Sequence, residues 1–164
     1  MKRHIISILI ENEAGALSRV AGLFSARGYN IETLTVAPTE DASMSRMTVV
    51  TSGSDEIIEQ ITKQLNKLID VVKLVNLSES THIERELMMV KCRAIADKRE
   101  DINRLCDRFR GNILDETPTS FVIELTGEKS KLDDFLKGIS EDHIIEVVRS
   151  GTTGILCGER GFNA

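Results

Sequence analysis

The chain has 164 residues, 41% of them hydrophobic and 29% charged, with a net charge of −5 at pH 7. That suits one ordinary globular domain or two very small ones and excludes a disordered acidic tail, and no apolar run approaches the roughly 18 residues that cross a bilayer. Up to Ser80 there are 8 basic and 10 acidic residues, and beyond it 13 and 16, so neither half carries the positive charge that nucleic-acid binding by phosphate neutralisation needs.

Met1-Lys2-Arg3-His4 followed by an apolar stretch over 5–10 mimics a secretory signal. The stretch is too short, and Glu11, Asn12 and Glu13 follow where a small-residue cleavage site belongs. A soluble, cytoplasmic protein is expected. Residues 5–10 then read as a first strand. Leu17, Val20, Ala21 and Phe24 recur at the spacing of a helix with one buried face, and Gly28 supplies its left-handed stop. Strands follow over 31–37 and 46–51, joined around Pro38 and the acidic turn Glu40-Asp41. Ile58, Ile61, Leu65 and Leu68 make a second helical stripe, with Ser54 or Asp55 as N-cap, before a strand over 71–77.

The plan then repeats. The two prolines, Pro38 and Pro118, are each flanked by glycines (Gly28 and Gly53, then Gly111 and Gly127). Past the polar link Ser78-Glu79-Ser80-Thr81 come strands over 86–95, 113–116, 121–126 and 144–149. Between them run helical stripes on Ile102, Leu105, Cys106 and Phe109, closed by Gly111, and on Leu132, Phe135, Leu136 and Ile139, with Ser130 as a weaker cap. Each half is thus β-α-β-β-α-β. The fold class expected is α+β, two tandem ferredoxin-like units, each a four-stranded antiparallel sheet with two helices on one face. The units are expected at residues 1–78 and 84–164, with a linker over 79–83 and a flexible tail from Thr152. The other face of each sheet is left without a cover, which implies an oligomer, most simply a dimer pairing like halves.

No catalytic constellation is present. His4, His82 and His143 have no Cys or Ser partner in a nucleophile-like setting, and neither a phosphate-binding loop nor Gly-x-Gly-x-x-Gly occurs. Cys92, Cys106 and Cys157 are spaced too widely for zinc ligation, the first two sitting in apolar patterns as reduced core residues. The arginines around Arg99 to Arg110 interleave with Glu100, Asp101 and Asp107 and read as a solvated helix face. Six aromatic residues offer no stacking platform for bases.

One turn carries chemistry: Glu11-Asn12-Glu13-Ala14-Gly15-Ala16-Leu17. A helix starting near Ala14 or Gly15 leaves its first amides free, a ready site for a carboxylate or phosphate. Gly15 removes the side chain where a ligand would approach. Asn12 suits either a helix cap or the grip on a zwitterion. Asn30, entering the second strand, is another amide able to face a ligand. A helix terminus supplies roughly 0.3–1 kcal/mol toward an anion, up to about 2 when partly buried, whereas micromolar binding needs about 8 kcal/mol. One turn is insufficient, so a pocket shared by two chains is expected.

The runs Asn12-x-x-Gly15-x-Leu17-x-Arg19, Phe24-x-x-Arg27-Gly28-Tyr29-Asn30-Ile31, Thr35-Val36-Ala37-Pro38 and Ser45-Arg46-Met47-Thr48 resemble the small regulatory subunits of acetohydroxyacid synthase, also called acetolactate synthase. The likeness continues through Glu84-Arg85-Glu86-Leu87, Phe109-Arg110-Gly111 and Glu146-Val147-Val148-Arg149-Ser150-Gly151, to about residue 154. The resemblance implies an amino-acid-sensing ACT domain in the first half. It implies a homodimer through that domain, with a branched-chain amino acid, chiefly valine, at the interface. Effector-binding residues would be Asn12, Gly15, Ala16, Leu17, Asn30 and Ile31, with Asn30 coming from the partner chain. It further implies a catalytic large subunit that holds thiamine diphosphate, magnesium and FAD, none of them on this chain. This chain would activate that subunit and confer feedback inhibition without being an enzyme itself. A free-standing ACT-type sensor of another enzyme or of a transcription factor is the alternative.

Overall fold

The computed structural model describes residues 1–162. The chain forms two units, Met1–Ile83 together with the chain from Thr152 on, and Glu84–Gly151. The first contains β1 (Lys2–Glu11), α1 (Ala16–Ala26), β2 (Thr33–Pro38), β3 (Met44–Gly53), α2 (Asp55–Asn66) and β4 (Val71–Asn76). The second contains most of β5 (His82–Arg93), then α3 (Asp97–Arg108), β6 (Asn112–Thr117), β7 (Ser120–Gly127), α4 (Lys129–Lys137) and β8 (Ile144–Arg149). Strand orders are β2-β3-β1-β4 and β6-β7-β5-β8, each fully antiparallel along that path. The repeated β-α-β-β-α-β plan is therefore present in both halves.

Alternation along the strands sorts side chains between two faces. In the first unit Ile6, Ile8 and Ile10 of β1 and Met47 and Val49 of β3 face α1 and α2, packing on Val20, Phe24, Ile61 and Leu65. In the second, Met88, Val90 and Cys92 of β5 meet Phe121 and Ile123 of β7 beneath Leu105 and Phe135. Phe109 and Phe135 meet edge to face with centroids 5.6 Å apart. Burial raises the Cys92 and Cys106 thiols above the ordinary cysteine range, as suits core residues. Arg149 donates to both Glu86 and Asp133 (2.9 Å and 2.7 Å), tying the end of β8 to β5 and α4.

Three expectations are corrected. The first concerns the uncovered sheet face and the flexible tail. The chain from Thr152 is part of the first unit, not the end of a second domain over 84–164. A short strand, β9 (Thr153–Leu156), pairs with β5 at its start, where Cys157 N–H donates to Thr81 C=O at 3.0 Å. Leu156 joins Ile5, Val50 and Leu77 in a second buried cluster on the sheet face away from the helices. Arg46 on that face donates to Ser7 Oγ at 2.7 Å and to Gly154 C=O at 3.1 Å, and its guanidinium lies 4.5 Å from the centre of the Phe162 ring. The glycines of this segment let it lie close. A Cβ on Gly154 would come within 2.7 Å of Leu77.

The second correction concerns the linker. Residues 79–83 run up to the boundary of the two units at Ile83 and Glu84, but they are structured parts of the first unit rather than a free link, because Leu77–Glu79 is a 3-10 turn with Leu77 in the core, and β5 begins at His82. The third concerns helix ends. Gly28 closes α1 in the left-handed region (φ +69°), as expected, but α3 is followed by Arg110 at φ +58° rather than by a left-handed Gly111. Gly111 is held by its neighbours, since a Cβ there would meet Cys106 Sγ at 3.0 Å. Ser54 caps α2 by accepting from Ile57 N–H (3.3 Å), whereas Ser130 lies inside α4 and Glu128 precedes it without a side-chain cap.

If the C-terminal segment covers the sheet, emptying its anchor should be costly. Leu156→Ala is expected to lower unfolding free energy by about 2–5 kcal/mol in urea titration, the range for a buried leucine. An exposed, frayed tail would leave the midpoint unmoved.

Candidate functional site

The turn from β1 to α1 is built by backbone. Glu11 N–H donates to Asp70 C=O (2.8 Å) and Asn12 N–H to Ser43 C=O (2.7 Å), which ties the end of β1 to the loop before β4 and to the β2–β3 hairpin. Gly15 is the N-cap of α1 at φ +85°, a left-handed position that favours glycine, and no side chain caps the helix. The first bond of the helix runs from Arg19 N–H to the Gly15 carbonyl at 2.9 Å, so the amides of Leu17 and Ser18 have no partner among the described residues. The terminus is thus an open set of donors at the positive end of the helix dipole.

Asn12 does not cap the helix. Its side-chain amide donates to Ala42 C=O at 3.1 Å, so that side chain is spent in part on the hairpin, leaving its carbonyl oxygen as acceptor. Ala16 is buried and packs into the core behind the turn, while Leu17 is 44% exposed. Of the expected residues, Asn12, Gly15, Ala16 and Leu17 therefore share one turn.

Asn30 and Ile31 lie elsewhere. They precede β2 rather than opening it, because that strand begins at Thr33. Thr51 Oγ1 donates to Asn30 C=O at 2.6 Å, and Thr51 stands opposite His4 in the ladder. Met44, beside the turn, stands opposite Glu11. The step from His4 to Glu11 is about 23 Å of strand. Asn12 and Asn30 of one chain are therefore at opposite ends of the same sheet. Ile31 packs against the core, and Asn30 is exposed.

Two residues of this site escaped the expected set. Arg19 donates through Nε to Asp70 Oδ2 (2.5 Å) and through Nη2 to Asp70 Oδ1 (3.1 Å) and Ala14 C=O (3.3 Å). The Asp70 side chain is only 6% exposed. Its hydrogen bonds from Arg19 hold the Asp70 carboxyl below the usual carboxylate range, and the same bonds raise Arg19. The guanidinium lies against Gly15, where a Cβ would meet Nη1 at 2.9 Å. Arg19 was visible in the motif, but Asp70 is far along the chain and only the fold supplies it. Among the described residues no group of three or more His, Cys, Asp or Glu could hold a metal ion, and no helix is long and apolar enough to cross a membrane.

Comparison with known proteins bears on the same two units. A family profile described as an AHAS small subunit-like ACT domain matches residues 6–73, and one described as the small subunit of acetolactate synthase matches residues 85–158. The acetolactate synthase small subunit of Haemophilus influenzae is 53% identical over 161 residues, spanning 98% of this chain and 99% of the relative. The small subunit of acetolactate synthase isozyme 3 from Escherichia coli is 50% identical over 159 residues, spanning 96% and 98%. The crystal structure of the acetolactate synthase small subunit from Thermotoga maritima superposes with a TM-score of 0.89 at 36% identity, covering 98% of this chain and 100% of that one.

Two outcomes test the construction of the turn. Gly15→Ala forces a side chain into a left-handed position and against Arg19, and a loss of about 1–2 kcal/mol is expected on urea unfolding. Asp70 has a lowered carboxyl, so its contribution is present at neutral pH and is lost as pH falls from about 4 downward. Asp70→Asn should therefore be less stable than the parent at pH 7, with the gap closing on acidification. A gap that stays constant from pH 7 to pH 2 would contradict the pairing.

Proposed function

The chain belongs to the acetolactate synthase small-subunit family, and from that premise we propose that it is a non-catalytic regulatory subunit whose first unit senses a branched-chain amino acid, chiefly valine. In this reading it raises the activity of a catalytic large subunit and makes that activity sensitive to the amino acid. The condensation of 2-oxo acids, with thiamine diphosphate, magnesium and FAD, belongs to the large subunit. The complex works in the cytoplasm.

The observation that carries the reading is the separation of Asn12 from Asn30 along a sheet whose β2 edge is unpaired in the monomer. Pro38 at the end of β2 is level with Ser45 and Ile10, next to the Asn12 turn, whereas Thr33 at its start is level with Val50 and Ile5. Two copies pairing β2 antiparallel about a two-fold axis bring the start of one β2 to the end of the other. That arrangement carries Asn30 of one chain toward the Asn12 turn of its partner and makes two equivalent pockets. Each pocket then combines an open helix N-terminus for the carboxylate, the Asn12 carbonyl oxygen for the ammonium, and an apolar contact from Leu17. These three come from one turn of one chain and Asn30 from the other, so neither chain supplies the whole pocket alone. Effector binding and assembly are then linked, and each strengthens the other by the same factor.

Calorimetric titration with valine tests the pocket. Saturable binding is expected for the parent, with loss of at least tenfold in affinity, about 1.4 kcal/mol, in Asn12→Ala and in Asn30→Ala. Mixing the two variants is the sharper measurement. A heterodimer contains one intact pocket, so an equilibrated equal mixture should recover about a quarter of the parental sites. No recovery on mixing would mean that both asparagines act within one chain and would sink the shared pocket. The regulatory role is tested separately, by valine inhibition of the large subunit with and without this chain.

A further inference from the structure

A cleft of about 730 Å³ lies in the first unit between α2 and β4, at the His4 end of β1 and away from the Asn12 turn. Ile58, Leu74 and Val75 give it an apolar lining, and His4, Lys2 and Arg160 are among its polar groups. His4 is only 2% exposed, and its Nε2 has no hydrogen-bond partner.

The tautomer of the neutral ring follows from its neighbours. Asn76 Oδ1 accepts from Ser78 N–H at 3.1 Å, so the other side of the amide, Nδ2, faces Glu79 at 3.4 Å and His4 Nδ1 at 3.3 Å. His4 Nδ1 is then the acceptor, and in the neutral ring Nε2 carries the hydrogen. A buried donor without an acceptor is costly, and this one lines the cleft.

Charges in the cleft say which acceptor fits. Glu59 is paired with Lys63 at 2.8 Å, and Glu79 takes the Asn76 amide. The Asp55 carboxylate stands 3.5 Å from Nε2 but is 81% exposed. Lys2 and Arg160 have no carboxylate partner among the described residues. Two cations without an ion pair and one N–H donor thus stand above an apolar lining, in a cleft that also holds the exposed carboxylates of Asp55 and Glu79. We propose that this cleft is a second small-molecule site, taking a small carboxylate with a short apolar body. The carboxylate accepts from His4 Nε2–H, which Asp55 nears at 3.5 Å without a hydrogen bond, and faces Lys2 and Arg160, while the apolar body lies on Ile58 and Leu74.

The test uses the full chain carrying Asn12→Ala, so that the turn is silent, with the imidazole signals of the histidines followed by NMR. The probes are 3-methyl-2-oxobutanoate, valine and inorganic phosphate. The oxo acid is expected to shift the His4 signals saturably while those of His82 and His143 stay in place. Arg160→Gln, at an exposed position, is expected to raise the midpoint about tenfold. Valine is expected to bind more weakly, because its ammonium finds no unpaired buried carboxylate. Any one of three results would overturn the proposal: His4 signals that do not move at millimolar oxo acid, a midpoint unchanged by Arg160→Gln, or phosphate or valine matching the oxo acid.

Discussion

Burial of β1 on both of its faces is the constraint from which the first unit follows. From His4 to Ile10 every residue of that strand is buried. The even positions pack beneath α1 and α2, and Ile5 on the other face packs with Val50, Leu77 and Leu156. A strand clad on both sides cannot slip in register without moving an apolar set into water or a polar one into the core. Its end, and therefore the turn that follows, is fixed. The sheet edge at β2 and the N-terminus of α1 are open, and both belong to the sensing site proposed above.

The turn itself is rigid for reasons of charge and chirality. A left-handed residue at Gly15 starts α1 without a cap, and the Arg19 guanidinium folds back over it because helical side chains lean toward the N-terminus. Asp70 pins that guanidinium from the loop before β4 through two hydrogen bonds. An open anion site kept beside a fixed cation is preorganised, so little ordering cost falls on the ligand. The two ends of the first sheet differ in kind. The Asn12 end offers backbone amides on the surface, and the His4 end a cleft with a buried imidazole.

Much of the fold was legible because local patterns and tertiary demands agree. The helical stripe from Leu17 to Phe24, that from Ile58 to Leu65, the strands rich in Ile and Val, and Gly28 at a left-handed stop appear where their spacing put them, while Leu68, expected on the second stripe, lies just past the end of α2. Asn12, Gly15, Ala16 and Leu17 stand in one turn for the same reason, since four neighbours in sequence need no tertiary partner to come together. The apolar run from Ile5 to Ile10, broken only at Ser7, also signals burial on two faces.

By itself the sequence determined the repeated β-α-β-β-α-β order, the site-bearing turn and the family, because each of these is encoded by residues within one or two elements. The tertiary structure decided the rest, because each remaining feature joins residues distant along the chain. It folded Thr152 to Leu156 back under the first sheet, since Gly154 allows close approach to Leu77 and Arg46 donates to the Gly154 carbonyl. It brought Asp70 to Arg19 and Asn76 to His4. It also separated Asn12 from Asn30 by the length of a strand, a distance fixed by ladder register, which only the paired backbone can set.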